Sequence, residues 1–157
     1  ENELSRGLGL AMHPLTSGPI VDQHRETSMP GIFAAGNVVH VHDLVDFVSE
    51  EAEIAGKFAA LKALGQMEGE VADVKDEVRT CVPQHIRAAA EGETVRLFMR
   101  VRRPLKKCRL TVTSGDDVLV SRVLPVAKPS EMIAVNVPAD KAKGHHADWT
   151  VSVKEEA

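Results

Sequence analysis

The residues best suited to chemistry lie in one short segment, from Thr27 to Asn37, with the sequence TSMPGIFAAGN. Its proline and glycine predict a turn, and the apolar stretch after them has the length of a buried strand. The stretch ends at Gly36 and Asn37. A glycine lets a ligand approach the backbone closely, and an asparagine side chain can bond a hydroxyl group. We therefore expect this segment to lie against a ligand.

A long helix is predicted soon after this segment, from about Leu44 to Leu64. Asp43 is placed as its N-cap, and acidic residues are concentrated in its first half. Its second half contains the sequence AGKFAA, at Ala55 to Ala60. The N-terminus of a helix presents N–H groups without intrahelical partners, and these favour an anion. The helix start is therefore a second element that could contact a ligand.

Together, the two stretches closely resemble the C-terminal FAD signature of the thioredoxin-reductase-like pyridine-nucleotide-disulfide oxidoreductases. In that family, T-x-x-P-G-[IV]-F-A-x-G-D precedes a helix that contains A-G-x-x-A-A. The resemblance covers about the first 65 residues of the chain. It implies the C-terminal part of an FAD-dependent oxidoreductase that exchanges hydride with NAD(P)H, with the chemistry supplied by these cofactors.

The resemblance also implies which residues contact FAD. They are Gly36, Asn37 and Val38 after the strand, and Phe47 and Val48 at the helix start, through backbone groups. Gly36 brings the backbone close to the ribityl and pyrophosphate groups, and the helix N-terminus favours the negative charge of the reduced flavin. The family usually has aspartate at the position of Asn37. Asparagine can accept the same ribityl hydrogen bond, but without the charge.

The glycine-rich motif GxGxxG, which holds the FAD pyrophosphate, does not occur in this sequence. We expect it, and an NAD(P)-binding domain, to lie upstream in a longer flavoprotein. The chain begins with Glu1 rather than methionine, which agrees with that expectation. Alone, it is expected to be inactive and without FAD, and its partners would be the rest of the flavoprotein or a second copy. The alternative interpretation is a non-catalytic β-sandwich that binds or assembles with a partner.

Two histidines, His40 and His42, precede Asp43 and leave three alternatives open. Such residues can ligate a metal ion, line the flavin pocket or be ordinary loop residues. Because no further ligand group is recognisable in the sequence, we predict no metal site. A second pair, His145 and His146, is predicted to form a solvated turn.

The second half of the chain alternates apolar and polar residues with a period of two, which is typical of antiparallel strands. Strands are predicted at 78–86, 95–101, 108–112, 118–126, 132–137 and 149–153, with a hairpin turn at 114–117. The predicted fold class is therefore α+β: the C-terminal remnant of an α/β FAD-binding domain, followed by a small antiparallel β-sandwich or barrel.

A change in charge marks the boundary between these two units. Residues 1–68 contain four Lys/Arg and ten Asp/Glu, whereas residues 69–157 contain fifteen and thirteen. We assign residues 1–68 to the FAD-binding unit and residues 78–157 to the β-sandwich-like domain. The stretch 69–77 is polar and acidic, and we predict that it is a linker.

The composition excludes several classes of protein. With 43% hydrophobic residues, 27% charged residues and a net charge of −4, the chain is typical of a globular protein that does not bind nucleic acid. No apolar run approaches the roughly 18 residues of a membrane helix. We therefore expect a cytoplasmic protein without a membrane partner. Cys81 and Cys108 do not form a CxxC pair and are predicted to be buried free thiols.

Overall fold

The computed structural model describes residues 2–67, 69, 71–89, 91–143 and 147–156, apart from the side chain of Asp76. His145 and His146, predicted to form a turn, lie outside the described residues. The helices are α1 (Glu3–Gly7), α2 (Val45–Ala63) and α3 (Ala139–Ala142), and a 3₁₀ turn spans Gly36–Val38. The strands are β1 (Val71–Asp76), β2 (Thr80–Val82), β3 (His85–Arg87), β4 (Val95–Arg100), β5 (Leu105–Ser114), β6 (Asp117–Ala127), β7 (Ile133–Val137) and β8 (Trp149–Glu155).

The strands form two sheets that share one hydrophobic core. The larger sheet has the order β3-β1-β8-β5-β6, and the smaller has the order β2-β4-β7. All described pairings between strands are antiparallel except that of β1 with β8. The apolar positions of the period-two pattern, such as Leu97, Leu110 and Val151, are completely buried. The predicted α+β class and the predominance of strands in the second half are confirmed.

The stretch 69–77 differs from the predicted linker because it contains β1. This strand lies between β3 and β8 in the larger sheet, with Val74 beside Trp149. Val74 packs against the core, while Asp73 and Lys75 on either side of it are exposed. The strand alternation was therefore present but obscured by the acidic composition. A piece that begins at residue 78 would lack a central strand of this sheet.

The segment before Gly36 also differs from its prediction. Instead of the predicted buried strand, the described residues form isolated bridges, one of which joins Glu26 to Phe33. The predicted strand at 78–86 is likewise divided into β2 and β3. Pro83 lies between them, and proline has no N–H to donate to a strand partner.

Helix α2 lies within one residue of its predicted bounds at each end. Its N-cap position is held by Leu44 in an extended conformation, without a side-chain cap, so the predicted capping role of Asp43 is wrong. Asp43 instead accepts hydrogen bonds from Arg100 and from the N–H of Met132. In the described part of the chain, no helix is both long and apolar enough to cross a membrane.

The first unit packs directly against the sheets. The backbone of Val21 exchanges hydrogen bonds with Gln84, and Gln23 bonds both the N–H and the carbonyl of Arg87. Val21, Val39 and Val82 form a small second core across this contact. Both cysteines are buried and neither forms a disulfide, as predicted.

Candidate functional site

The backbone at Gly36 has a conformation that favours glycine. Its φ of +75° lies in the left-handed region, which side chains rarely adopt. A Cβ at this position would lie 3.1 Å from Cγ1 of Val48, closer than an ordinary van der Waals contact. The turn at Gly36 is therefore packed closely against the first turns of α2.

The structure brings most of the residues assigned to FAD together. Gly36, Asn37 and Val38 form the 3₁₀ turn, and Val48 lies against it. Asn37 is exposed, and its Oδ1 accepts a hydrogen bond of 3.2 Å from the N–H of His42. Phe47 differs, because its ring packs 5.3 Å from that of Phe98 on β4. The side chain of Phe47 thus belongs to the contact with the sheet.

The helix start next to this turn offers backbone donors. In an α-helix the first N–H groups have no intrahelical acceptor, and α2 has no side-chain cap. The N–H of Phe47 bonds the carbonyl of Leu44 at 3.2 Å. The donors closest to the helix end are consequently those of Val45 and Asp46, two residues before those assigned from the sequence.

A buried carboxylate lies beneath the turn. Glu51 is 0% exposed, although its place among the acidic residues of a helix predicts a solvated side chain. Its Oε2 accepts hydrogen bonds of 2.9 Å from the N–H of Gly36 and from Nε2 of His42. Its Oε1 lies 3.0 Å from Nε2 of His40 and 3.1 Å from Nε of the buried Arg25. One side chain therefore ties α2 to three other parts of the first unit.

In this network Glu51 is ionised at neutral pH and His40 is neutral. Burial alone would raise the pKa of Glu51, but hydrogen bonds from His40 and His42 and the charge of Arg25 hold it well below its ordinary value. Burial lowers the pKa of His40, against the opposing effect of Glu51. At neutral pH, Glu51 and Arg25 thus form an ion pair, and neutral His40 donates through Nε2. Arg25 Nε makes this contact without hydrogen-bond alignment.

The same donor atoms are close enough to suggest a metal site. Nε2 of His40, Nε2 of His42 and a carboxylate oxygen of Glu51 all lie within 4.8 Å of one another. However, the two N–O distances are those of hydrogen bonds, and each carboxylate oxygen already has two partners. The charge of Arg25 at 3.1 Å would also repel a cation. The cluster is therefore accounted for as a structural hydrogen-bond network, and the prediction of no metal site stands as a prediction.

We expect the free energy of unfolding to decrease as the pH falls from about 7 to about 4. The folded-state pKa values of His40 and Glu51 are below the reference values of 6.5 and 4.5, so the unfolded state binds protons first. The contribution of His40 to the free energy of unfolding is fully present above the pKa of an unfolded histidine and is lost as the pH falls below it. The contribution of Glu51 is lost at lower pH.

Urea unfolding at a series of pH values measures this dependence. In the His40→Gln variant, the loss of stability nearest to neutral pH should disappear, and the loss at lower pH should remain. If His40→Gln and the unsubstituted chain had the same pH profile, the network would not be linked to folding in this way.

Comparisons of the chain with protein-family models, with curated proteins and with solved structures found no match. In the structure, the two halves of the flavoprotein-like signature lie in elements that contact each other. Gly36 lies at the end of the first stretch, and Ala55–Ala60 lies in the later turns of α2, the helix whose start packs against Gly36. Sequence reasoning missed Glu51 and Arg25, and it assigned the helix-end donors two residues too late in the chain. The only sequence signal for Glu51 was its position eleven residues after His40 and nine after His42.

Proposed function

We propose that this chain is the C-terminal part of an FAD-dependent, NAD(P)H-linked oxidoreductase. The Gly36–Val38 turn and the start of α2 would contact the flavin, and the β-rich part would cover the active site or form a subunit interface. One observation carries this proposal. Gly36, which ends the FAD-like signature, has a left-handed backbone and lies beside the uncapped N-terminus of α2. A cytoplasmic location is part of the same proposal.

The turn and the helix start have the properties that FAD requires. The missing Cβ at Gly36 lets the turn pack closely against Val48, so that Asn37 and the start of α2 would face the ligand together. Asn37 is exposed, and although its Oδ1 accepts one hydrogen bond from His42, that oxygen has a second lone pair that can accept a bond from a ribityl hydroxyl. The first N–H groups of α2 would stabilise negative charge on the reduced flavin ring. FAD itself would supply the hydride chemistry.

Apolar side chains around this turn are left uncovered. Val41 is 68% exposed and Val45 is 79% exposed, and Val38 and Leu44 are also exposed. Contiguous exposed apolar residues of this kind commonly mark a surface that another part of a protein or a ligand covers. The flavin and the rest of an FAD-binding domain would bury these side chains.

Glu51 would hold the flavin-contacting turn in place. It bonds the N–H of Gly36 from the protein interior, and it fixes His40 and His42, which follow the turn. A ligand site is most effective when its backbone is held rigidly before the ligand binds. Glu51 is accordingly assigned as a positioning residue, with no contact to FAD.

Substitution of Asn37 in the complete flavoprotein tests the proposal. Asn37→Ala should weaken FAD binding by about 0.5–1.5 kcal/mol, at most roughly tenfold, because one neutral hydrogen bond is lost. Asn37→Asp should preserve or strengthen binding, because it restores the residue that the family usually has. Asn136→Ala, on β7 and bonded to Arg96, is a control that should leave FAD affinity unchanged. Equal affinities in Asn37→Ala and Asn136→Ala would count against a flavin contact at this turn.

A further inference from the structure

A cleft of about 440 Å³ lies where the first unit meets the smaller sheet. Its walls come from separate parts of the chain: the segment before Gly18, the loop between the 3₁₀ turn and α2, strands β2 and β4, and the turn before β7. This volume is within the range of about 300–1,000 Å³ that is common for small-molecule sites. We propose that this cleft binds a small anionic group, either a phosphate or a carboxylate.

Among the described residues that line the cleft, Asp43 is the one carboxylate, and it already has its partners. Asp43 accepts hydrogen bonds from Nη2 of Arg100 at 2.5 Å and from the N–H of Met132 at 2.6 Å. Burial opposes its ionisation, but these two hydrogen bonds outweigh burial and lower the pKa of Asp43. Asp43 is therefore ionised and matched by Arg100, so it neither attracts a cation nor cancels further positive charge.

Arg100 is held in a fixed position. Besides Asp43, its guanidinium bonds the carbonyl of Val41 at 3.1 Å and, with a longer distance of 3.4 Å, that of Pro129. Its place in the wall is thus set by the protein before any ligand binds. Pre-organised charges lose little conformational freedom on binding.

Arg79 adds a second positive charge to the cleft, in addition to that of Arg100, which Asp43 balances. The backbone N–H of Arg79 bonds the carbonyl of Arg100 at 2.8 Å, which places Arg79 beside Arg100 at the cleft. The Arg79 guanidinium makes no hydrogen bond or ion pair with any residue that the structure describes. Guanidinium groups bind phosphate and carboxylate through two parallel hydrogen bonds, so Arg79 is suited to either.

Hydroxyl donors complete the cleft. Those of Thr80 and Ser130 have no hydrogen-bond partner within the described ranges. Thr16 Oγ1 accepts a bond of 3.3 Å from the N–H of Gly18, which leaves its own proton for another acceptor. The cleft thus combines free donors and an unmatched positive charge with a carboxylate whose partners are in place. This combination favours an anion over a cation or a neutral ligand.

Titration of the 157-residue chain with inorganic phosphate, followed by amide NMR shifts at constant ionic strength, tests this inference without flavin. We expect saturable shifts at Thr16, Thr80 and Ser130. Arg79→Gln should weaken phosphate binding about tenfold to a hundredfold, because a hydrogen bond to a charged group is lost. Arg122→Gln, on exposed β6, removes the same charge elsewhere and should leave binding unchanged.

A parallel titration with acetate distinguishes a phosphate site from a carboxylate site, because the anion that binds more tightly identifies the chemical class of the ligand. Because Arg79 is exposed and unpaired in the described structure, Arg79→Gln should keep the dispersed spectrum of the folded chain. Shifts that are absent from Thr16, Thr80 and Ser130 with both anions would overturn the inference. Equal binding to Arg79→Gln and Arg122→Gln would also overturn it. Either result would leave the flavin proposal unaffected, because no flavin is present.

Discussion

Glu51→Ala is expected to lower the free energy of unfolding by about 3–5 kcal/mol, because it leaves a buried charge without its partner. Arg25 is 0% exposed, and Glu51 is the carboxylate that it contacts, at 3.1 Å. The substitution also removes the acceptor for the N–H of Gly36 and for both histidines. Since a domain is stable by only about 5–15 kcal/mol, this loss would remove a large part of the stability.

Chemical unfolding of Glu51→Ala, Glu51→Gln and Glu53→Ala measures the effect. Glu53 is exposed on the same helix, so Glu53→Ala should change the unfolding free energy by no more than about 0.5 kcal/mol. Glu51→Gln keeps the shape of the side chain but points an amide at groups that are already donors, and it should also be strongly destabilised. If Glu51→Ala were as stable as Glu53→Ala, the buried network would not contribute to the fold.

The proposed function predicts that Gly36→Val abolishes FAD retention in the complete protein. The left-handed φ of +75° would cost a valine about 1–3 kcal/mol. In addition, its Cβ would lie 3.1 Å from Cγ1 of Val48, so the Val48 side chain or the turn must move to relieve this contact. Both elements are assigned to the flavin, so the movement would disturb both of its contacts with this chain.

Gly31→Val is the matched control for this substitution. Gly31 also has a left-handed φ, of +85°, but a Cβ there would meet no atom within 4 Å. The two variants therefore share the backbone strain and differ in the contact with the flavin-facing elements. The ratio of FAD to protein after purification should be near zero for Gly36→Val and close to that of the unsubstituted protein for Gly31→Val. Equal ratios would show that the turn at Gly36 is not needed for FAD binding.

The parts of the fold that depend on local patterns were predictable from the sequence. The alternation at 108–112 identified the central part of β5, because Cys108, Leu110 and Val112 are buried and the polar Arg109 and Thr111 lie between them. Helix α2 was predicted within one residue at each end because its length and charge distribution are local properties. The hairpin turn at 114–117 was likewise predicted from its own residues, and it joins β5 to β6.

The parts that depend on distant partners were not predictable. β1 is a strand because β8, more than 70 residues later, supplies its neighbour. Asp43 lies where a helix cap is expected, but Arg100 and Met132 provide stronger partners from the sheet. Glu51 has the sequence environment of a solvated helix acid, and its burial depends on Arg25 and on the N–H of Gly36. The most connected residue of the candidate site thus had no distinguishing local pattern.

The most direct test of the flavin assignment is a structure of the complete protein with FAD bound. The prediction is that the Asn37 side chain lies within about 3.2 Å of a ribityl hydroxyl. The first N–H groups of α2 should face the flavin ring, and Gly36 should contact the cofactor through its backbone. A structure in which FAD lies away from the Gly36–Val38 turn, or in which the complete protein binds no flavin, would contradict the proposed function.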